Sequence, residues 1–206
     1  LENNLFDTIY HEHYSYLGAT ALQSLVSEYG LEIFDIDSLW IHGGSNRYWI
    51  AKKGVRTKSA RVQKCLNDES ESLTLQRWEL FAKNIKKSID AFCTWIQKME
   101  AQGFATYGFG AAAKASTFLN MVGDSSSKIQ AIFDNSPEKS GRFMPNQGIP
   151  ILAPEMISTL EIDNLIVFPW NITDEIISSF KTNNSALTRY WKAIPIITEL
   201  ALRKET

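Results

Sequence analysis

The apolar positions change their period three times along the chain. From Thr20 to Tyr29 (TALQSLVSEY), Leu22, Leu25, Val26 and Tyr29 recur at helical spacing, with Thr20 placed as N-cap and Gly30 at the C-terminal end. Leu31 to Leu39 (LEIFDIDSL) sets apolar positions among acids as a strand would. Gly43-Gly44 then predicts a tight turn and Asn46 to Ala51 (NRYWIA) a returning strand, so a β-hairpin follows the helix. Lys52 to Ser72 is charged and polar, which predicts a solvated connection with a short helix over Ala60–Asn67. A domain boundary falls there, between residues 1–71 and 72–206.

Leu75, Trp78, Phe81, Ala82, Ile85, Ile89, Phe92, Ile96 and Met99 then hold the 3.6-residue period, predicting a long amphipathic helix from about Leu73 to Ala101 that Gly103 ends. Beyond Phe104, short apolar strands alternate with helices. Strands are expected at Phe104–Tyr107, Ile129–Phe133, Ile149–Leu152, Leu165–Phe168 and within Thr188–Ile197. Helices are expected at Ala111–Met121, Ala153–Leu160 with Pro154 at its first position, and Thr173–Lys181 with Thr173 as N-cap. Such alternation makes the fold α/β, with a Rossmann-like, mostly parallel sheet flanked by helices.

Composition narrows the partners. Lys plus Arg number 21 against 23 Asp plus Glu, a net charge of −2 that recruits neither nucleic acid nor an anionic membrane. No apolar run approaches the ~20 residues of a membrane span. Two cysteines, Cys65 and Cys93, rule out a disulfide scaffold or a cysteine-rich zinc site; as free thiols they fit a reducing cytoplasm. The opening LENNLFDTIY has no initiator Met, basic n-region or apolar h-region. It is not a signal peptide and reads as the start of a piece cut from a longer chain.

The turn after the first strand of the α/β region runs Tyr107-Gly108-Phe109-Gly110-Ala111-Ala112-Ala113-Lys114 and satisfies the relaxed dinucleotide pattern GxGxxA. In that reading Gly108 permits the turn, Gly110 lets backbone N–H groups approach a phosphate, and Ala113 allows close helix packing. The helix N-terminus and Lys114 supply positive charge. Asp134 ends the second strand, where a ribose-binding acid belongs. The plainer alternatives are a tight βα corner, and a turn capped by Asp134 in Asp134-Asn135-Ser136-Pro137-Glu138-Lys139.

The three histidines, His11, His13 and His42, all lie in the first 42 residues. Two fall in Tyr10-His11-Glu12-His13-Tyr14-Ser15-Tyr16 and the third opens His42-Gly43-Gly44-Ser45. An imidazole titrates near neutrality, a carboxylate can orient it, and a tyrosine can donate to a developing oxyanion. The same residues also suit a metal pair, lacking a firm third ligand, or plain hydrogen-bonded structure.

Taken together, these segments resemble the C-terminal domain of sugar C-methyltransferases. Tyr10 to Tyr16, Leu31-Glu32-Ile33-Phe34-Asp35 and Ile41-His42-Gly43-Gly44-Ser45 carry the resemblance. So do the glycine loop, Asp134-Asn135-Ser136-Pro137, Gly148-Ile149-Pro150-Ile151 and Phe168-Pro169-Trp170-Asn171. Such enzymes use S-adenosylmethionine to methylate nucleotide-linked keto-deoxysugars. The resemblance covers nearly the whole chain, with departures at Phe109 and Ala115.

It implies the substrate-binding and acid/base part of a tripartite protein, whose S-adenosylmethionine domain lies upstream, so that the piece alone is inactive. His13 would be the base that forms an enolate, with Tyr10, Glu12 and His42 beside it. Gly108, Gly110, Ala111, Lys114, Asp134, Ser45, Trp170 and Asn171 would face the nucleotide-diphosphate sugar, and no metal is expected. The competing expectations are an NAD(P)-dependent oxidoreductase and a non-catalytic nucleotide-sugar-binding module.

Overall fold

A computed structural model describes residues 4–39, 44–180 and 188–200. The chain divides into two compact units. The first holds His13–Leu80; the second holds the described residues of Glu2–Glu12 together with those of Phe81–Thr206. The expected boundary at 71/72 falls inside the first unit.

In the first unit, α1 (Ala19–Ser27), the strands β1 (Leu31–Leu39) and β2 (Ser45–Lys52), and α2 (Ala60–Ser72) enclose a small core. The strands pair antiparallel from Leu31↔Lys52 to Leu39↔Ser45, with a bulge between Ile33 and Asp35. Ala19, Val26, Ile33, Ile36 and Val62 are buried together. His42 and Gly43 lie outside the described residues.

Thr20 is not the N-cap of α1; Gly18 holds that position. The Thr20 amide (2.6 Å) and hydroxyl (2.5 Å) both donate to Glu69 Oε2 from α2. A carboxylate distant in sequence thus does the capping, and Gly18 leaves the space it occupies.

Asp35 ties this unit together. The Arg61 guanidinium, then the Ser59 hydroxyl, hold its carboxyl below the ordinary value of 3.8. A carboxyl with a depressed pKa stabilises the fold above its unfolded value, and that contribution is lost as pH falls through the folded value. Arg61→Met is therefore expected to lower the urea midpoint near neutrality and to converge with wild type once the pH has fallen through the depressed folded value. A pH-independent gap would assign Arg61 a packing role only.

The helix α3 (Leu75–Ala101) buries Phe81, Ser88, Phe92, Ile96 and Met99. Leu75 and Trp78, expected on the same stripe, are exposed, because burial begins only at Phe81. In the second unit β3 (Thr106–Phe109), β4 (Ile132–Phe133), β5 (Ile151–Leu152), β6 (Asn164–Val167), β7 (Arg189–Lys192) and β8 (Thr198–Leu200) form one sheet, ordered β5-β4-β3-β6-β7-β8. All neighbours pair parallel except β7 and β8. The last strand expected within Thr188–Ile197 is β7, and β8 adds a further strand beyond that range. Pro195 has no N–H for a ladder, which breaks the run.

The helices α4 (Ala113–Val122) and α5 (Thr173–Phe180) follow β3 and β6. Pro154 opens a 3₁₀ turn, Pro154–Thr159, in place of the expected α-helix. Thr173 is the first residue of α5 rather than its cap, and its hydroxyl donates back to the Trp170 carbonyl (3.0 Å).

Alternation along the strands sends their side chains to two faces. On one, Tyr107, Phe109, Phe133, Leu165, Val167 and Tyr190 pack with Ile176 and Ile177 of α5. On the other, aromatic rings form a chain: Phe6 stacks on Phe118, which meets Phe92 edge-on at 4.9 Å and Phe168 at 6.2 Å. The outer side of β5 is not bare. The Gly141 amide donates to the Ile151 carbonyl, the Ile151 amide to Arg142, and the Met144 amide to Ile149. The segment 141–144 therefore borders the sheet.

Candidate functional site

The second unit contains a cleft of about 870 Å³ at the C-terminal ends of β3 and β4. Ala111 to Ala113 and the next turns of α4, through Ser116, Thr117 and Asn120, form one wall. Lys139, Arg142 and the apolar run Phe143-Met144-Pro145 form another. Phe6, Ile9, Tyr10 and His11 of the N-terminal strap close a third side. The first-turn N–H groups of a helix have no intrahelical acceptor, so α4 points the positive end of its dipole here, beside two cationic side chains. Apolar surface next to a cationic end suits a ligand that joins a ring to an anion.

The glycine loop takes its shape from packing. Gly108 lies within β3, not in a turn, and a Cβ there would stand 2.7 Å from the Phe168 ring. Gly110 has φ +93°, and a Cβ would meet the Pro169 ring at 2.5 Å. Their amides donate to Ala131 and Phe133 across the sheet (2.9 and 2.7 Å). The Ala111 amide donates to Asp134 Oδ2 at 2.7 Å. Asp134 also accepts from the Ser136 amide (2.9 Å) and Lys139 Nζ (3.1 Å). It thus ties the loop after β3 to the loop after β4, as the turn-capping reading has it.

Lys114 points elsewhere than expected. Its Nζ is buried, 3.8 Å from Asp7 Oδ2 and 5.0 Å from the centre of the Trp170 ring. Trp170 Nε1 donates to the same Asp7 oxygen at 2.7 Å. Asn171 follows in the same 3₁₀ turn, Trp170–Ile172.

Of the expected catalytic residues, Tyr10 lines the cleft. Glu12 is exposed, 3.5 Å from the His11 imidazole. His13 and Ser45 belong to the first unit; the His13 ring meets Tyr16 edge-on at 6.2 Å. His42 lies outside the described residues. Asp7 and Arg142 go unread in the sequence, while His11 is read only as a member of the histidine cluster and Lys139 only as the end of the turn after Asp134. Lys139 and Arg142 sit in an aperiodic loop, and only the run Lys139-Ser140-Gly141-Arg142, two cations around a small-residue turn, hinted at them.

Among the described residues, no group of three or more His, Cys, Asp and Glu is placed to hold a metal ion. Nor is any described helix long and apolar enough to cross a membrane.

Residues 40–195 match the family described as C-methyltransferase C-terminal domain. The chain is also 29% identical over 184 residues to "C-methyltransferase NovU" of Streptomyces niveus; the match takes in 88% of this chain and 44% of that protein. The chain therefore spans less than half the length of the curated relative it matches. With the parallel sheet, the loop after β3 and the cleft beside it in place, the chain belongs to the C-methyltransferase C-terminal domain family.

Proposed function

We propose that this chain is the substrate-binding and acid/base domain of an S-adenosylmethionine-dependent C-methyltransferase acting on a nucleotide-linked keto-deoxysugar. The observation that carries the proposal is the cleft. It sets the positive end of α4, Lys139 and Arg142 against apolar walls, which suits a nucleoside diphosphate, and Tyr10 stands at its rim.

These cations do not suit a sulfonium. As the family resemblance implies, the methyl donor belongs to an upstream domain of the same protein, and the chemistry of this chain ends at a nucleophilic carbon. In this reading His13 takes the proton from the carbon next to the ketone. The C–H electron pair becomes the enolate double bond, and charge moves to the carbonyl oxygen. Tyr10 donates to that oxygen, while Glu12 orients the base. The resemblance adds His42 beside the base and Ser45 as a substrate contact. Gly108, Gly110, Ala111 and Asp134 shape the wall that receives the diphosphate. Lys114 and Trp170 act behind it, through their contacts to Asp7, and Asn171 follows Trp170 in the same turn.

Arg142→Ala and Lys139→Ala are each expected to weaken nucleoside diphosphate binding by about 1–3 kcal/mol, the range for losing a charge-assisted hydrogen bond. The loss should shrink as salt screens the pair. Titration calorimetry at low and high salt measures both. Unchanged affinity in both variants would move the diphosphate out of this cleft, and a large thermal shift with NAD(H) would favour the oxidoreductase reading.

A further inference from the structure

We propose that Asp7 is a positioning residue: it holds the strap of residues 4–12 so that Tyr10 and His11 stand on the cleft wall. The role assigned to the cleft rests on the function proposed above; the anchoring itself does not.

The strap belongs to the second unit but is not a sheet strand. It folds on itself through short backbone bonds, Phe6 to Asn4, Ile9 to Phe6 and Tyr10 to Thr8 (3.0–3.1 Å). Such a segment keeps its place only by side-chain anchors. Asn84 Nδ2 donates to Asn4 Oδ1 at 3.2 Å, Thr117 Oγ1 to the Ile9 carbonyl at 3.4 Å, and Phe6 stacks on Phe118.

Asp7 differs from these in kind. Its exposure is 0%, and a carboxylate is stable there only if paired. Its partners come from two separate places: Trp170 from the turn after β6, and Lys114 from the first turn of α4. One oxygen thus fastens the strap to the turn after β6 and to the first turn of α4, the segments that follow the two strands at the strand-order reversal of the sheet. Tyr10 and His11 follow within one turn of chain and line the cleft. A carboxylate buried this deep beside a motif of acid/base residues has a use in fixing where that motif sits.

The test uses the natural protein that carries this chain, with Asp7→Asn and Trp170→Phe. Each removes the charge or the donor while keeping most of the volume. Hydrogen exchange by mass spectrometry should quicken over residues 8–12 by about 10–100-fold, with β3 and β6 unchanged. The double variant should be no worse than the poorer single one. In turnover, kcat should fall by about 10²-fold with KM nearly constant, since misplaced catalytic groups slow chemistry more than binding.

Wild-type exchange over 8–12 in both variants would overturn the proposal. So would faster exchange spread evenly over β3 and β6, or a rise in KM alone; these would make Asp7 an ordinary core group or a ligand contact. If wild type binds no nucleoside diphosphate, the proposed function falls, while the exchange result still decides the anchoring.

Discussion

His13→Asn in the natural protein that carries this chain is expected to lower kcat by about 10²–10⁴-fold, the usual worth of a general base. Asparagine keeps much of the shape and hydrogen bonding of histidine but cannot take the proton. Substrate affinity should hold, because the lost interaction forms only in the transition state. A second reading separates the base from other roles. The proton next to the ketone exchanges with deuterated water whenever the enolate forms, with or without a methyl donor. In the variant that exchange should slow in step with kcat. Exchange at the wild-type rate would mean another residue takes the proton. Tyr10, His42 and His11 are then the groups to replace, Tyr10 and His11 first, because both line the cleft.

Gly110→Ala should lower the stability of the second unit by roughly 2–5 kcal/mol. About 1–2 kcal/mol of this is the left-handed backbone, which a Cβ resists, and ~1–3 kcal/mol is overpacking against a ring that cannot swing aside. The conformation is φ +93° and the obstacle is Pro169 Cδ at 2.5 Å. Gly141 is the control: its φ is +77° and a Cβ there meets nothing within 4 Å, so Gly141→Ala should show the backbone part alone. Thermal melts of the two variants side by side make the comparison. Equal losses would show that Pro169 yields, and that the glycine serves the turn rather than the packing.

The long helix and the strand–helix alternation were legible because apolar periodicity reports which face is buried. From Phe81 onward the stripe marks the packed side of α3 at Phe81, Phe92, Ile96 and Met99, although Ala82 on it is exposed and Ser88 off it is buried. The loop after β3 was legible as a place, through its glycines, but the reasons for those glycines were not. Phe168 and Pro169, which need the space, come more than fifty positions later in the sequence. The same limit explains the caps. Thr20 has the right residue type for an N-cap, yet Glu69 arrives from 49 positions away and takes the work. Asp7 is the extreme case, since its donor Trp170 lies 163 positions on. Side-chain chemistry reads well along the chain only when its partner is a neighbour. Burial of a lone acid in LFDTIY is invisible until the fold brings up its donor. Lys139 and Arg142 escaped for another reason: a loop has no period to betray which way it faces.

The segment 141–144 carries Arg142 and Phe143 into the cleft with one set of atoms and borders β5 with another. A protein engineer who wished to widen the cleft by trimming or lengthening that loop would strip the cover from a sheet margin. Exposed margins of this kind invite pairing with other chains and precipitation. Ligand preference in this scaffold is therefore open to exchange of side chains at fixed loop length, and largely closed to insertions and deletions. A library built on Lys139, Arg142 and Phe143 should yield far more soluble variants than one that varies the number of residues between Gly141 and Ile149.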